Sequence, residues 1–250
     1  MCEPRTYRRI ALLICDEPVD AIREKHGDYT RIFGTLLEES LKPINHTRSA
    51  DSQMTFTLEP FHVYSQVYPK DDEYDAMIIT EAEKWIKKLI EKTADKDFWS
   101  EYALDIRSSR LPVGGTCVRN TREVSATKLQ LNELGKRNLH LMNRDYVPIE
   151  PPSFHIIVSS KHSPNHGMVR FSQPESPRDG PPLNFRLTDI HILTSQGHPE
   201  FTESIMRMLL NARRELLGTE VVDDGQSRAG NQNDGVAVVG KAIWGMMGVE

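Results

Sequence analysis

Two short apolar runs constrain the fold of this chain more than any other feature. Ile10-Ala11-Leu12-Leu13-Ile14-Cys15 stops at Asp16-Glu17-Pro18, and Ala76-Met77-Ile78-Ile79 is framed by Asp75 and Thr80. Both are too short for core helices and are apolar at successive rather than alternate positions. A strand with no face left for water belongs inside a parallel sheet covered on both sides. Residues 29–41 place Ile32, Phe33, Leu36, Leu37 and Leu41 at helical spacing, with Pro43 beyond the expected end. Residues 56–64 read as a further strand, interrupted by Pro60. Residues 81–92 read as an amphipathic helix with Trp85, Ile86, Leu89 and Ile90 on one face. Strand and helix alternate, which predicts βαβ units and a mostly parallel sheet flanked by helices in three layers.

Past this point the pattern loosens. Residues 96–110 read as a helix, 123–131 as an edge strand, and 154–160 with 168–171 as paired strands. Residues 172–182 carry Pro174, Pro177, Pro181 and Pro182 and read as a surface loop. A strand at 190–194 leads into a long helix at 200–217 stopped by Gly218. Residues 219–235 are polar and glycine-containing and are expected to form a mobile loop. Residues 236–247 read as a final apolar helix. The whole is read as one domain over residues 1–250.

Bulk numbers narrow the function. Charged residues make up 27% and hydrophobic residues 38%, the mix of a soluble globular domain. A net charge of −5 gives no basic face for nucleic acid and disfavours anionic membranes. No apolar run approaches the roughly 20 residues that span a bilayer. Arg5, Arg8 and Arg9 precede the first apolar run, but that run is shorter than a secretory h-region and no small-residue cleavage site follows. Three cysteines, Cys2, Cys15 and Cys117, fit a reducing compartment. The expected location is the cytoplasm. No cysteine pair has zinc spacing, and neither G-x-G-x-x-G nor a Walker loop is present. No metal and no cofactor are expected.

Ser195-Gln196-Gly197-His198-Pro199-Glu200 carries the most chemistry. A histidine just past a strand end sits where α/β proteins place ligands and catalysis. A carboxylate two residues on can turn back and fix its tautomer, giving the base and orienter of a nucleophilic triad. The plainer reading is that Pro199-Glu200 starts a helix with an acid at its positive end. The candidate nucleophile by local sequence is Cys117, after Gly114-Gly115-Thr116. Against it, Arg119 stands where a nucleophile elbow needs a small residue, and no helix follows. Cys15, at the end of the first strand, reads as a buried structural thiol. His162 and His166 are separated by Pro164 and belong to a loop rather than to a metal pair.

These residues together resemble a family. Ile14-Cys15-Asp16, Gly27-Asp28-Tyr29 and Phe33 look like the start of stand-alone class I glutamine amidotransferase-like proteins, fungal ones in particular. Tyr68-Pro69 and Asp75 to Thr80 resemble their third strand. His140-Leu141-Met142-Asn143-Arg144-Asp145-Tyr146-Val147 resembles their His-x-Met-His-Arg-Asp-x-Val signature, with Asn143 in place of the second histidine. Gln196-Gly197-His198-Pro199-Glu200-Phe201 matches their His/Glu motif without change, and Asp234-Gly235 resembles their C-terminus.

The resemblance implies a flavodoxin-like three-layer α/β fold. It also implies cysteine attack on the side-chain amide of glutamine, or in some relatives hydrolysis of γ-glutamyl peptides. His198 would be the base and Glu200 its orienter, with Arg144, Asp145 and Gln196 as candidate substrate-binding residues. The expected ligand is glutamine or a γ-glutamyl small molecule, and the expected partner a protein that makes the nitrogen acceptor.

The departures are equally specific. After Thr80 the family has a glycine-rich turn that helps form the oxyanion hole, whereas Glu81-Ala82-Glu83 stands here. The family's strand ending in Gly-x-Cys-x-Gly has no counterpart, and Gly114-Gly115 aligns beyond that nucleophile, so Cys117 does not take its place. Two explanations stand: a degenerate relative whose sheet closes without its central strand, or an incomplete translation of a working gene. The functional expectations are an amidotransferase-like protein with impaired chemistry, a non-catalytic binding or partner subunit, and a hydrolase that uses Cys117.

Overall fold

The structure, a computed structural model, describes residues 6–70, 73–80, 118–131, 135–146, 154–172 and 185–250. The first apolar run forms β1 (Tyr7–Ile14). Ile10, Leu12 and Ile14 point to one side and Ala11, Leu13 and Cys15 to the other, and all six are buried. Helices α1 (Asp20–His26) and α2 (Tyr29–His46) follow. Asp28 caps α2 by accepting the Arg31 amide at 3.0 Å. Strands β2 (Thr55–His62) and β3 (Ala76–Ile79) flank β1, giving a parallel sheet in the order β2-β1-β3. Pro60 is tolerated because β2 is an edge: it pairs with Leu12 of β1, and among the described residues no strand pairs with its other side.

Helix α2 runs past its expected end at Leu41 and includes Pro43. Tertiary contacts explain this. Leu41 and Ile44 are both buried in the cluster that holds Ile10, Leu37 and Trp244. Asn45 adds a two-way clasp on Met54: its Nδ2 donates to the Met54 carbonyl at 2.9 Å, and its Oδ1 accepts the Met54 amide at 2.8 Å.

The second sheet is antiparallel and has the order β5-β4-β6-β7-β8, from β4 (Val118–Leu131), β5 (Gly135–Tyr146), β6 (Phe154–Ser159), β7 (Gly167–Phe171) and β8 (Ile190–Ser195). The molecule is thus α/β, with a parallel sheet and covering helices. Of residues 123–131, expected as an edge strand, all pair with β5 and only Gln130 and Leu131 also pair with β6, so β4 is interior at its C-terminal end and, among the described residues, paired on one side before it. Among the described residues no ladder joins the two sheets. They share a core instead: Leu12 and Ile14 of β1 pack in one cluster with Val124 of β4, Phe201 and Met206. The helices expected at 81–92 and 96–110, and Cys117, lie outside the described residues, as do residues 173–182 of the expected surface loop.

The C-terminal third departs from expectation in three places. The helix expected from Glu200 begins later, as α3 (Glu203–Ala212), and breaks at Arg213 before α4 (Arg214–Leu217). Residues 219–228, expected as part of a mobile loop, are helix α5 (Thr219–Arg228). Packing overrides their polarity: Val222 is fully buried, and Gly225 brings α5 so close to α3 that a Cβ there would lie 2.9 Å from Leu210 Cδ2. The final apolar segment is a π-helical stretch (Gly235–Gly240) continuing into α6 (Lys241–Met246). Trp244 is fully buried there, and its indole N–H meets the Leu37 carbonyl (3.2 Å) and Ser40 Oγ (3.0 Å) of α2.

Candidate functional site

His198 sits on a turn between β8 and α3. Ser195 Oγ donates to the Gly197 carbonyl at 2.9 Å and tightens the exit from the strand. Gly197 is pressed onto β5: a Cβ would lie 2.8 Å from Leu139 Cδ1, so a side chain there would push the turn away. The His198 amide then donates to the His140 carbonyl at 2.8 Å, forming an isolated antiparallel bridge. Thr202 caps α3 by accepting the Ile205 amide at 3.3 Å. Because the cap is Thr202, Glu200 lies outside the helix, and the plainer reading of it as a helix-start acid does not hold. Its carboxylate turns back to His198, with Oε1 2.9 Å from Nδ1.

This pair is sheltered. The Glu200 side chain is 5% exposed and that of His198 18%. The imidazole stacks on Phe201, with ring centroids 4.1 Å apart and planes within 5°. A carboxylate can only accept, so Nδ1 carries the proton that faces it, and the basic lone pair of the neutral ring is on Nε2. Stacking and the hydrogen bond fix both the tautomer and the ring plane, as the base of a triad requires.

His140 lies directly across the bridge and is 1% exposed. Opposed residues of an antiparallel pair share a face, so the two imidazoles are neighbours. Burial, and then the adjacent His198, push His140 down to about 4, against smaller opposing effects from Glu203 and Glu200. Among the described residues its Nδ1 has no hydrogen-bond partner. Sequence reasoning placed His140 only within a signature and missed it as a neighbour of the site.

The other expected site residues are distributed as follows. The Gln196 amide donates to the His166 carbonyl at 2.8 Å, which seats the motif against the β6–β7 hairpin. Arg144 and Asp145 lie on β5, the strand that carries His140, with Asp145 opposite Arg119. Cys15 is buried just beyond β1, and its amide donates to Thr80 Oγ1 at 3.2 Å. Burial, helped by Cys15, raises the Tyr68 hydroxyl above its ordinary value. His166 is buried on the hairpin, with Nε2 3.0 Å from Ser160 Oγ. That oxygen already accepts the amides of His162 and Ser163 at 3.1 and 3.0 Å, a turn-forming arrangement rather than an activated nucleophile. Among the described residues no grouping of histidine, cysteine and carboxylate side chains could hold a metal ion, and no helix is long and apolar enough to cross a membrane.

The buried His198–Glu200 pair thus stands just beyond β8, on the turn that leads into α3. In fold the chain is similar to a glutamine amidotransferase of Thermotoga maritima, with a TM-score of 0.58 over 96% of this chain and 98% of that one, at 11% identity. By sequence it is similar to glutamine amidotransferase-like proteins of fungi. It is 24% identical over 248 residues to one of Schizosaccharomyces pombe, covering 87% of this chain and 88% of that protein. It is also 24% identical over 252 residues to a Saccharomyces cerevisiae protein named for glutamine amidotransferase, covering 86% of this chain and 87% of the other. No family profile matches the chain.

Proposed function

We propose that this protein is built around the hydrolysis of a glutamine or γ-glutamyl side-chain amide, and that this chemistry is impaired by loss of the nucleophile segment. The observation that carries the reading is the His198–Glu200 pair, held at 2.9 Å with the carboxylate buried. In the complete reaction a thiolate attacks the amide carbon, His198 delivers a proton to the departing ammonia, and water then cleaves the thioester. The Nδ1-bonded geometry of His198 supports reading it as the base and Glu200 as its orienter. The thiol is the part in question. Cys15 is buried and tied by its backbone to Thr80. The sequence around Cys117, with Arg119 two residues on, does not make an elbow.

The three-cysteine composition supports a cytoplasmic setting. A partner that synthesises the nitrogen acceptor is part of the proposal, since the ammonia released must be consumed. The test is glutamate release from glutamine and from a γ-glutamyl dipeptide by the protein and its Cys117→Ser and His198→Ala variants. No turnover in any of the three is the expected result. Turnover abolished by both substitutions would make Cys117 the nucleophile and overturn the loss.

A further inference from the structure

Residues 232–235 stand far from the His198 turn in sequence but grip it in the fold. Asn233 Nδ2 donates to the Phe201 carbonyl at 2.7 Å, and Asn233 Oδ1 accepts the Gly235 amide at 3.2 Å. The backbone of Gly235 lies against Pro199, where a Cβ would come within 2.6 Å of Pro199 Cα. The neighbouring Asp234 is buried and faces the other way, onto β5. Its amide donates to the Asn138 carbonyl at 2.8 Å, and its Oδ2 accepts the Asn138 amide at 2.8 Å. Its Oδ1 accepts from Gln232 Nε2 at 2.6 Å. Two residues along β5 from Asn138, the His140 carbonyl holds the His198 amide. The dyad turn is therefore held at His198 by β5 and at Pro199 and Phe201 by residues 233–235, while Asp234 locks these two holds to each other.

We infer that Asn233 and Asp234 are positioning residues for the His198–Glu200 pair. The side-chain bonds of Asn233 fall on Phe201 and Gly235, and those of Asp234 on Asn138 and Gln232. They fix the chain direction through Pro199 and Phe201, which aims the Glu200 carboxylate at Nδ1. Without them the turn has a competing conformation, because an acid just before a helix is favoured at the positive end of that helix. A relaxed turn would let Glu200 swing towards α3, and the imidazole would lose its tautomer control. The catalytic meaning of this role rests on the function proposed above, but the contacts and their test do not.

The experiment uses the full chain with ring-labelled histidine and reads the low-field Nδ1 proton and the ring-nitrogen tautomer of His198 by NMR. No substrate is needed, so glutamine turnover lost on substitution of Cys117 and His198 would overturn the proposed loss of the nucleophile and leave this inference untouched. Asn233→Ala removes both side-chain bonds. Asn233→Asp keeps the size and the acceptor for Gly235 while deleting the donor to Phe201, and it decides the matter if the alanine variant does not fold. The expected result is loss of most of the low-field signal and a mixed tautomer in Asn233→Asp, with partial loss in Asp234→Asn. A folded Asn233→Asp variant with the signal and tautomer of the parent, even at a lowered melting temperature, would overturn the inference and leave these residues purely structural. Absence of the low-field proton in the parent protein would overturn it as well.

Discussion

His140 and His198 are joined backbone to backbone, amide to carbonyl at 2.8 Å, and their imidazoles share one side of that bridge. The two rings live under opposite conditions. His198 has a carboxylate on Nδ1, whereas Nδ1 of His140 has no partner among the described residues and that residue is 1% exposed.

The pair makes stability pH-dependent in a definite direction. His140 falls from an ordinary imidazole value of 6.5 to about 4 in the folded protein. Between these values the unfolded chain binds more protons than the folded one, so unfolding free energy rises with pH. The contribution is complete above about pH 6.5 and is lost as pH falls towards 4, amounting to about 3 kcal/mol. Urea unfolding of the protein and of His140→Leu from pH 4 to 7 should show a shallower acid limb in the variant. Parallel limbs would contradict the depressed value.

Glu200→Gln tests the orienter. A glutamine amide at this position can donate to Nδ1 and select the opposite tautomer. The exchange also removes a charge-assisted hydrogen bond from a sheltered site, at a cost of about 1–3 kcal/mol. Chemical denaturation at pH 7 should show the loss, and any residual glutamine hydrolysis should disappear with it. A variant as stable as its parent would mean that the pair contributes little to folding.

Trp244→Ala tests the anchor of the C-terminal segment. The indole is fully buried, stacks edge-on with Phe56 at 5.3 Å between centroids, and bonds to Leu37 and Ser40. Truncation leaves a cavity, although the Leu37 carbonyl keeps the Ser40 hydroxyl as a donor at 3.1 Å, and should cost about 3–5 kcal/mol in thermal or urea unfolding. Trp244→Phe should cost less, because it loses the N–H and part of the ring system but keeps most of the volume.

What could be read from sequence follows the range of the forces involved. β1 and β3 were legible because burial on both faces leaves an uninterrupted apolar run. The His198–Glu200 pair was legible because its members are two residues apart, and a strand preceding them fixes the setting. Helix α5 was not, since Thr219-Glu220-Val221-Val222-Asp223-Asp224-Gly225 is polar and glycine-containing. It is held by Val222, by the close approach at Gly225, and by Gln226 bonding to Arg207 and Asn211 of α3. β5 escaped notice because Gly135-Lys136-Arg137-Asn138 has no apolar pattern, and its strand form comes from β4. The contact between Asn138 and Asp234 spans 96 residues, beyond any local signal. The Asp234-Gly235 pair was the available hint, but nothing nearby said what it would hold.

The bond from Trp244 to Leu37 joins residues 207 apart. On the ribosome, α2 emerges long before the indole that covers it. At a synthesis rate of roughly 5–20 residues per second, its apolar stripe waits on the order of 10–40 s for that cover. During that interval Leu37, Leu41 and Ile44 are a nascent-chain surface rather than a core. A chain interrupted before its last helix would present that surface permanently, as a client for chaperones and proteases, even with its first sheet already paired.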